Sequence, residues 1–248
     1  MRTLAHPDRQ VETQSIDLYD PAAGTPEGHG RLAMLFVHGG GWYAGERSAF
    51  DEWAERAAAQ GHPAGSTGYR VDEESTYRDK VADVIAGWRL LAEQFPDAES
   101  VCLVGSSAGA HLVTALALAD PDLVPALPVS AVVSFNGPGS LRRETLYKDA
   151  TWQRVDQLAM TPEEFDLLDG EVTVRPLEWA FVNAEDETSF PHEHVAALAA
   201  RLEAAGHHTE TTVVPDTKHG FCYKVLSRGG EPARVSAEAV DRFWNRLR

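Results

Sequence analysis

The chain has little of what marks several large protein classes. Its 248 residues include only two cysteines, Cys102 and Cys222, too few for a disulfide framework. No apolar run approaches the length that a bilayer requires, and residues 1–10 lack the apolar core of a signal peptide. We therefore expect no membrane partner, no secretion signal and a cytoplasmic protein.

Positive charge is also scarce. The formal net charge is −16, and no basic cluster is longer than Arg142-Arg143. Nucleic acids and anionic membranes both require a basic surface, so we expect neither of them as a partner. An acidic surface instead favours the approach of a neutral or cationic small molecule.

Apolar runs alternate with helical patterns along the chain, which predicts an α/β fold with a mostly parallel central sheet and helices on both faces. We expect residues 1–248 to form a single domain. The predicted strands are Ser15–Tyr19, Arg31–Val37, His62–Tyr69, Val101–Val104, Val129–Phe135, Leu177–Val182 and Thr211–Val214.

Two segments lack this alternation. Pro21–Gly30 is rich in turn residues and predicts a loop between the first two strands. Residues 137–170 contain no clear strand, and a long insertion at this position usually has a function. We predict a small cap that narrows a pocket; the alternative is a helical excursion on the surface.

One turn carries the strongest chemical pattern. Gly105-Ser106-Ser107-Ala108-Gly109 lies between an apolar strand and a helical run, and matches G-x-S-x-G. A sharp strand-to-helix turn strains the backbone of Ser107 and holds its hydroxyl clear of the sheet. Ser107 is therefore the candidate nucleophile.

A glycine-rich loop follows the Arg31–Val37 strand. In His38-Gly39-Gly40-Gly41-Trp42 the backbone N–H groups are uncovered and can point at one spot. An acyl carbonyl under attack needs such donors, and we predict an oxyanion hole from Gly40, Gly41 and Ala108. The alternatives are a simple turn or a phosphate loop, but the two common glycine-rich phosphate-binding patterns are absent.

A base and an acid follow in the chain. His219 lies in a loop after a predicted strand and can take the proton of Ser107. The acid that orients it is Asp186 by first choice, at the centre of the loop after Leu177–Val182. Glu187 is the alternative, and Asp216 is a third candidate that better suits a turn. The order serine, acid, histidine is typical of α/β-hydrolases.

These residues together resemble the α/β-hydrolase esterases and lipases related to hormone-sensitive lipase, carboxylesterases and kynurenine formamidase. The resemblance rests on the glycine loop, Gly68-Tyr69-Arg70, Ser107, the acid and His219, and it extends from about residue 15 to the C-terminus. Ser106 departs from the G-D-S-A-G of hormone-sensitive-lipase relatives, and we expect no long N-terminal cap.

We expect a carboxylic ester hydrolase with a short acyl chain, because a compact enzyme has little surface to bury a long one. The resemblance leaves two alternatives: an arylformamidase or amidase acting on N-formylkynurenine-like substrates, and a non-catalytic binding protein on a hydrolase scaffold. We expect no cofactor and no metal, since His192-Glu193-His194 puts its imidazoles on opposite sides of a helix.

Large aromatic residues near these loops are candidates for substrate contact or for scaffold. They are Trp42, Tyr43, Trp152, Phe190 and Phe221. The terminal helix and the edge strand could also form a homodimer surface.

Overall fold

The described residues form one eight-stranded sheet in a computed structural model, which describes residues 1–22, 32–142, 149–161, 166–168, 172 and 174–247. The strand order is β1-β2-β4-β3-β5-β6-β7-β8; β2 runs antiparallel to β1 and β4, and the other neighbours are parallel. The strands are β1 (Arg2–Ala5), β2 (Ser15–Tyr19), β3 (Leu32–Val37), β4 (Ala64–Thr67), β5 (Ser100–Ser106), β6 (Val129–Phe135), β7 (Glu178–Asp186) and β8 (His208–Lys218).

Helices cover both faces of this sheet. A 3₁₀ turn at Arg47–Phe50 leads into the first of them. The helices are α1 (Asp51–Ala59), α2 (Tyr77–Gln94), α3 (Ala108–Ala119), α4 (Asp149–Gln157), α5 (His192–Ala204), α6 (Val225–Arg228) and α7 (Gly230–Arg246). The predicted α/β architecture is therefore confirmed.

The helix boundaries follow local chemistry. Thr76 and Asp79 form a capping box at the start of α2, in which each side chain accepts from the other's backbone N–H. Gly61 follows α1 with a φ of 92°, a left-handed conformation that glycine adopts without a steric penalty. The capping box fixes where α2 begins, and Gly61 fixes where α1 ends.

The central strand β3 shows why these strands are continuously apolar. Ala33, Leu35 and Val37 pack into the core on one face, whereas Met34 and Phe36 pack into the core on the other. Successive side chains alternate between the faces, and helices cover both, so every position of β3 is buried. The core thus holds the sheet rigid beneath the loops at its carboxyl end.

One strand differs from the prediction in a way that affects the site. The apolar run predicted a strand ending at Val182, but β7 continues to Asp186. The extension exists because β8 pairs with it as far as Asp186 and Lys218, after a register shift beyond Ala184. The loop that follows therefore begins at Glu187.

Parts of two predicted segments lie outside the described residues. These parts are 23–30 of the predicted loop and 143–148, 162–165 and 169–170 of the predicted cap, and Arg31 at the start of a predicted strand lies outside as well. Within the cap segment the structure describes α4. Across the parts of the chain that the structure describes, no helix is long and apolar enough to span a membrane.

Candidate active site

Ser107 occupies a strained turn between β5 and α3. Its φ of 53° and ψ of −117° lie outside the regions that L-residues favour. The turn packs closely against β3: a side chain on Gly109 would come within 2.1 Å of the Val37 carbonyl oxygen. Glycine therefore lets α3 begin directly against β3, and Ser107 stands at the carboxyl end of the sheet.

Three side chains form a hydrogen-bonded chain at this end of the sheet. Ser107 Oγ lies 2.9 Å from Nε2 of His219. On the other side of the ring, Nδ1 of His219 lies 2.8 Å and 2.9 Å from the two carboxylate oxygens of Glu187. The carboxylate thus favours the tautomer with a proton on Nδ1, which leaves Nε2 to accept from the serine.

The carboxylate beside His219 is that of the alternative acid, Glu187, and not that of Asp186. Asp186 is exposed and is the last residue of β7. The first-choice prediction assumed a loop from residue 183 onward, whereas pairing with β8 keeps Asp186 in the strand. Asp216, the third candidate, lies in β8 with a φ of 54° and donates its N–H to Glu185 Oε2 at 3.0 Å.

The surroundings of Glu187 stabilise its charged form. Burial alone would raise the pKa of this carboxyl, but its hydrogen bond and charge interaction with His219 lower it, as do the N–H groups of Ser189 and Phe190. The net pKa of Glu187 lies below its usual value. Asn136, directly after β6, also donates its Nδ2 to Glu187 at 2.6 Å. The acid is therefore held by donors on several sides.

The glycine loop lies against the same serine. Gly39 is so close that an added side chain would come within 3.0 Å of Ser107 Cβ. The Gly39 N–H donates to Tyr223 Oη at 2.6 Å, and the next two residues, Gly40 and Gly41, have φ values of 112° and 61°. Both line the cleft that contains Ser107. The N–H of Ala108, in the first turn of α3, lacks a partner within the helix.

His38 braces this loop. Its Nδ1 donates to the Gly39 carbonyl at 2.7 Å, and its ring stacks on Tyr69 at 4.4 Å. Burial lowers the pKa of His38 to about 4, so the ring is neutral at pH 7. The imidazole therefore works as scaffold for the glycines rather than as a second base.

The cleft above Ser107 has a volume of about 520 Å³, within the usual range of ligand sites. Of the five aromatic candidates, Trp42 and Phe190 line it, and the Phe190 ring lies edge-on to His219 at 5.6 Å. The other three are not among the described residues that line this cleft: Tyr43 and Trp152 pack against the core, and Phe221 lies edge-on to Phe135.

Some polar residues of the site were not predicted from the sequence, among them Asn136, Tyr223 and Arg154. Asn136 follows a strand that was predicted, so the rule that site residues gather at strand ends could have found it. Tyr223 lies four residues after His219, but no sequence pattern marks its bond to Gly39. Arg154 of α4 lines the cleft from a segment whose position depends entirely on tertiary packing.

A doubly wound sheet with a serine elbow, a histidine and a carboxylate at its carboxyl edge defines the α/β-hydrolase class. A family model described as alpha/beta hydrolase fold matches residues 34–223. This match spans most of the chain, and the protein belongs to the α/β-hydrolase fold family.

Individual relatives agree with this assignment. An ethyl acetate hydrolase from Pseudomonas putida is 29% identical over 237 residues, covering 86% of this chain and 73% of that protein. Esterase B from Lactobacillus rhamnosis matches with a TM-score of 0.78 at 17% identity, covering 99% of this chain and 85% of the other. Propionate-bound esterase Est2 from Thermogutta terrifontis matches with a TM-score of 0.74 at 24% identity, covering 94% of this chain and 89% of the other. The two structural likenesses concern the fold.

Proposed function

We propose that this protein is a serine hydrolase that cleaves carboxylic esters through a covalent acyl-enzyme. The observation that carries the proposal is the contact chain Glu187–His219–Ser107, in which both ring nitrogens of the histidine lie within 2.9 Å of their partners. A serine hydroxyl is a weak nucleophile by itself, and this arrangement is the one that activates it.

In the proposed first step, His219 Nε2 takes the proton of Ser107 Oγ as the oxygen attacks the ester carbonyl. The imidazolium that forms is stabilised by the charge of Glu187. His219 then donates the proton to the departing alkoxide, which leaves as the alcohol. Water, deprotonated by the same histidine, then attacks the acyl carbonyl. The bond between the acyl group and Ser107 Oγ breaks, His219 returns the proton to Ser107, and the acid is released. Every proton transfer uses the side chains of this chain, so the mechanism requires no cofactor.

The negative charge of the tetrahedral intermediate requires donors close to Ser107. We assign this role to the N–H groups of Gly40, Gly41 and Ala108. Three facts support it: both glycines line the cleft, the N–H of Gly39 is already used by Tyr223, and Ala108 lies in the first turn of α3. The positive end of the α3 dipole adds to the effect.

A short acyl chain suits the site. The cleft is modest in volume, and Phe190 lies beside His219. The relative from Pseudomonas putida is named for ethyl acetate, an ester with a two-carbon acyl group. We therefore propose esters of short acids as substrates.

The test is hydrolysis of p-nitrophenyl acetate, butyrate and octanoate by the native protein and by Ser107→Ala. We expect acetate or butyrate to give the highest kcat/KM, and Ser107→Ala to lower kcat by about 10⁴-fold or more. Ser227→Ala, at an exposed serine in α6, is the matched control. Equal activity in the native protein and Ser107→Ala would contradict the proposed nucleophile.

A formamide substrate measured in parallel separates the esterase from an arylformamidase, since both would use the same side chains. If kcat/KM for N-formylkynurenine is far above that for the esters, the protein is an arylformamidase and the ester proposal fails. A non-catalytic binding protein would bind ligand without turnover and would resist labelling of Ser107 by a fluorophosphonate.

A further inference from the structure

Arg154 brings a positive charge to the cleft. It is exposed on α4 and lines the same cavity as Ser107 and His219. The described residues that line this cavity include no carboxylate. They are Gly40, Gly41, Trp42, Ala44, Ser107, Arg154, Ser189, Phe190, His219, Gly220 and Tyr223.

The arginine lies beside the loop to which we assign the oxyanion donors. A side chain added at Gly41 would come within 2.6 Å of Arg154 Nη1 and 3.5 Å of its Cδ. The guanidinium therefore packs on the backbone of a residue that we place at the reacting carbonyl. A charged group held at this position is next to any substrate that occupies the cleft.

The helix that carries Arg154 is anchored at its C-terminal end. Val155 and Leu158 are buried in the core. The carbonyl of Leu158 accepts from the N–H of Tyr77 at 3.0 Å, and the Arg154 carbonyl accepts from Tyr43 Oη at 3.3 Å. These contacts hold α4 against α2 and the glycine loop, so the position of the arginine is built into the fold.

No carboxylate of the described chain lies within ion-pair distance of this guanidinium. Some other arginines of the same chain are paired with a carboxylate, for example Arg70 with Asp83 at 2.8 Å and Arg175 with Asp122 at 3.1 Å. Among the described residues, Arg154 therefore brings to the mouth of the site a positive charge that no carboxylate pairs with. Its planar donors match a carboxylate in two parallel hydrogen bonds.

We infer that the ester substrate carries a carboxylate, which Arg154 binds beside the reacting carbonyl. This inference rests on the proposed ester hydrolysis and names its substrate class. It also revises the expectation, drawn from net charge, that a neutral or cationic molecule approaches the protein most easily. Salt screens distant charges beyond about 8 Å at physiological ionic strength, so the arginine in the cleft outweighs the remote acidic surface once the substrate has entered.

The carboxylate could belong to the acid or to the alcohol part of the ester, and two substrate pairs distinguish these. Monophenyl adipate against phenyl hexanoate tests the acid side, and 4-acetoxybenzoate against 4-acetoxybenzamide tests the alcohol side. For each pair, the ratio of kcat/KM for the anionic ester to that for the neutral one is measured in the native protein and in Arg154→Gln. Arg89→Gln, at an exposed arginine on α2 outside the cleft, is the control for lost charge.

We expect Arg154→Gln to lower this ratio roughly tenfold in one pair, as for the loss of a charged hydrogen bond, and Arg89→Gln to leave it unchanged. The responding pair identifies the side that bears the carboxylate. An unchanged ratio in both pairs would overturn the inference. If the ratio stays unchanged because both esters lose activity equally, Arg154 acts on the reaction and not on a carboxylate.

Binding separates a failure of this inference from a failure of the proposed function. In the Ser107→Ala background, calorimetry gives the Kd of each intact ester with and without Arg154→Gln. If the native protein hydrolyses none of the esters, the proposed function fails, yet tighter binding of an anionic ester that is lost in Arg154→Gln would still support the carboxylate site. Equal Kd values for anionic and neutral esters would refute it.

Discussion

Replacing Glu187 with glutamine tests the proposed acid without a change of size. Both carboxylate oxygens lie within 2.9 Å of His219 Nδ1, and they also accept from the N–H of Ser189 at 2.6 Å and from Asn136 Nδ2 at 2.6 Å. All the neighbours are donors. A glutamine brings an NH₂ group into this set, so at least one donor faces another donor.

The expected loss follows from the role of the charge. Without the carboxylate, the histidine loses the group that keeps the proton on Nδ1 and that stabilises the imidazolium. Such a loss lowers kcat by about 10³- to 10⁴-fold, or about 4 to 5.5 kcal/mol of transition-state stabilisation. Asp186→Asn changes an exposed carboxylate one residue earlier and should leave kcat within about twofold.

The assay is kcat and KM for p-nitrophenyl acetate in the native protein, Glu187→Gln and Asp186→Asn, with thermal unfolding as a check on folding. Glu187→Asp adds a third comparison, because it keeps the charge and shortens the side chain by one methylene. Activity of Glu187→Gln close to the native value would refute the assignment. A larger loss in Asp186→Asn than in Glu187→Gln would return the role to Asp186.

Two further predictions concern the glycine loop. Tyr223→Phe removes the acceptor of the Gly39 N–H, so the loop that carries the oxyanion donors loses a support. We expect kcat to fall about tenfold with little change in KM. A rise in KM with an unchanged kcat would contradict this role of Tyr223. The second concerns pH: burial lowers the pKa of His38 to about 4 from 6.5, so the unfolded chain binds more protons between these values. His38 should therefore contribute about 3 kcal/mol to the fall in the free energy of unfolding as the pH drops from 6.5 to 4, and urea unfolding of His38→Gln should lack this contribution. An equal pH dependence in both proteins would contradict it.

The glycine loop and the serine elbow could be predicted from the sequence because their geometry is local. A turn that places Ser107 at a φ of 53° needs small neighbours, and Gly105 and Gly109 are visible as such in the sequence. The alternation of strands and helices likewise follows from hydrophobic periodicity, which each segment carries by itself. Together these patterns predicted the α/β-hydrolase architecture and the placement of Ser107 and His219 at one edge of the sheet.

The remaining parts of the site depend on contacts between distant segments. The length of β7 is set by its pairing with β8, and that length decides that Glu187, rather than Asp186, reaches His219. Tyr223 meets Gly39 across 184 positions of sequence, and Arg154 reaches the cleft because α4 packs on the core. The sequence by itself determined the residue types and the local turns of the site. Only the tertiary structure decided which side chains meet, because strand pairing and helix docking are settled by the whole chain.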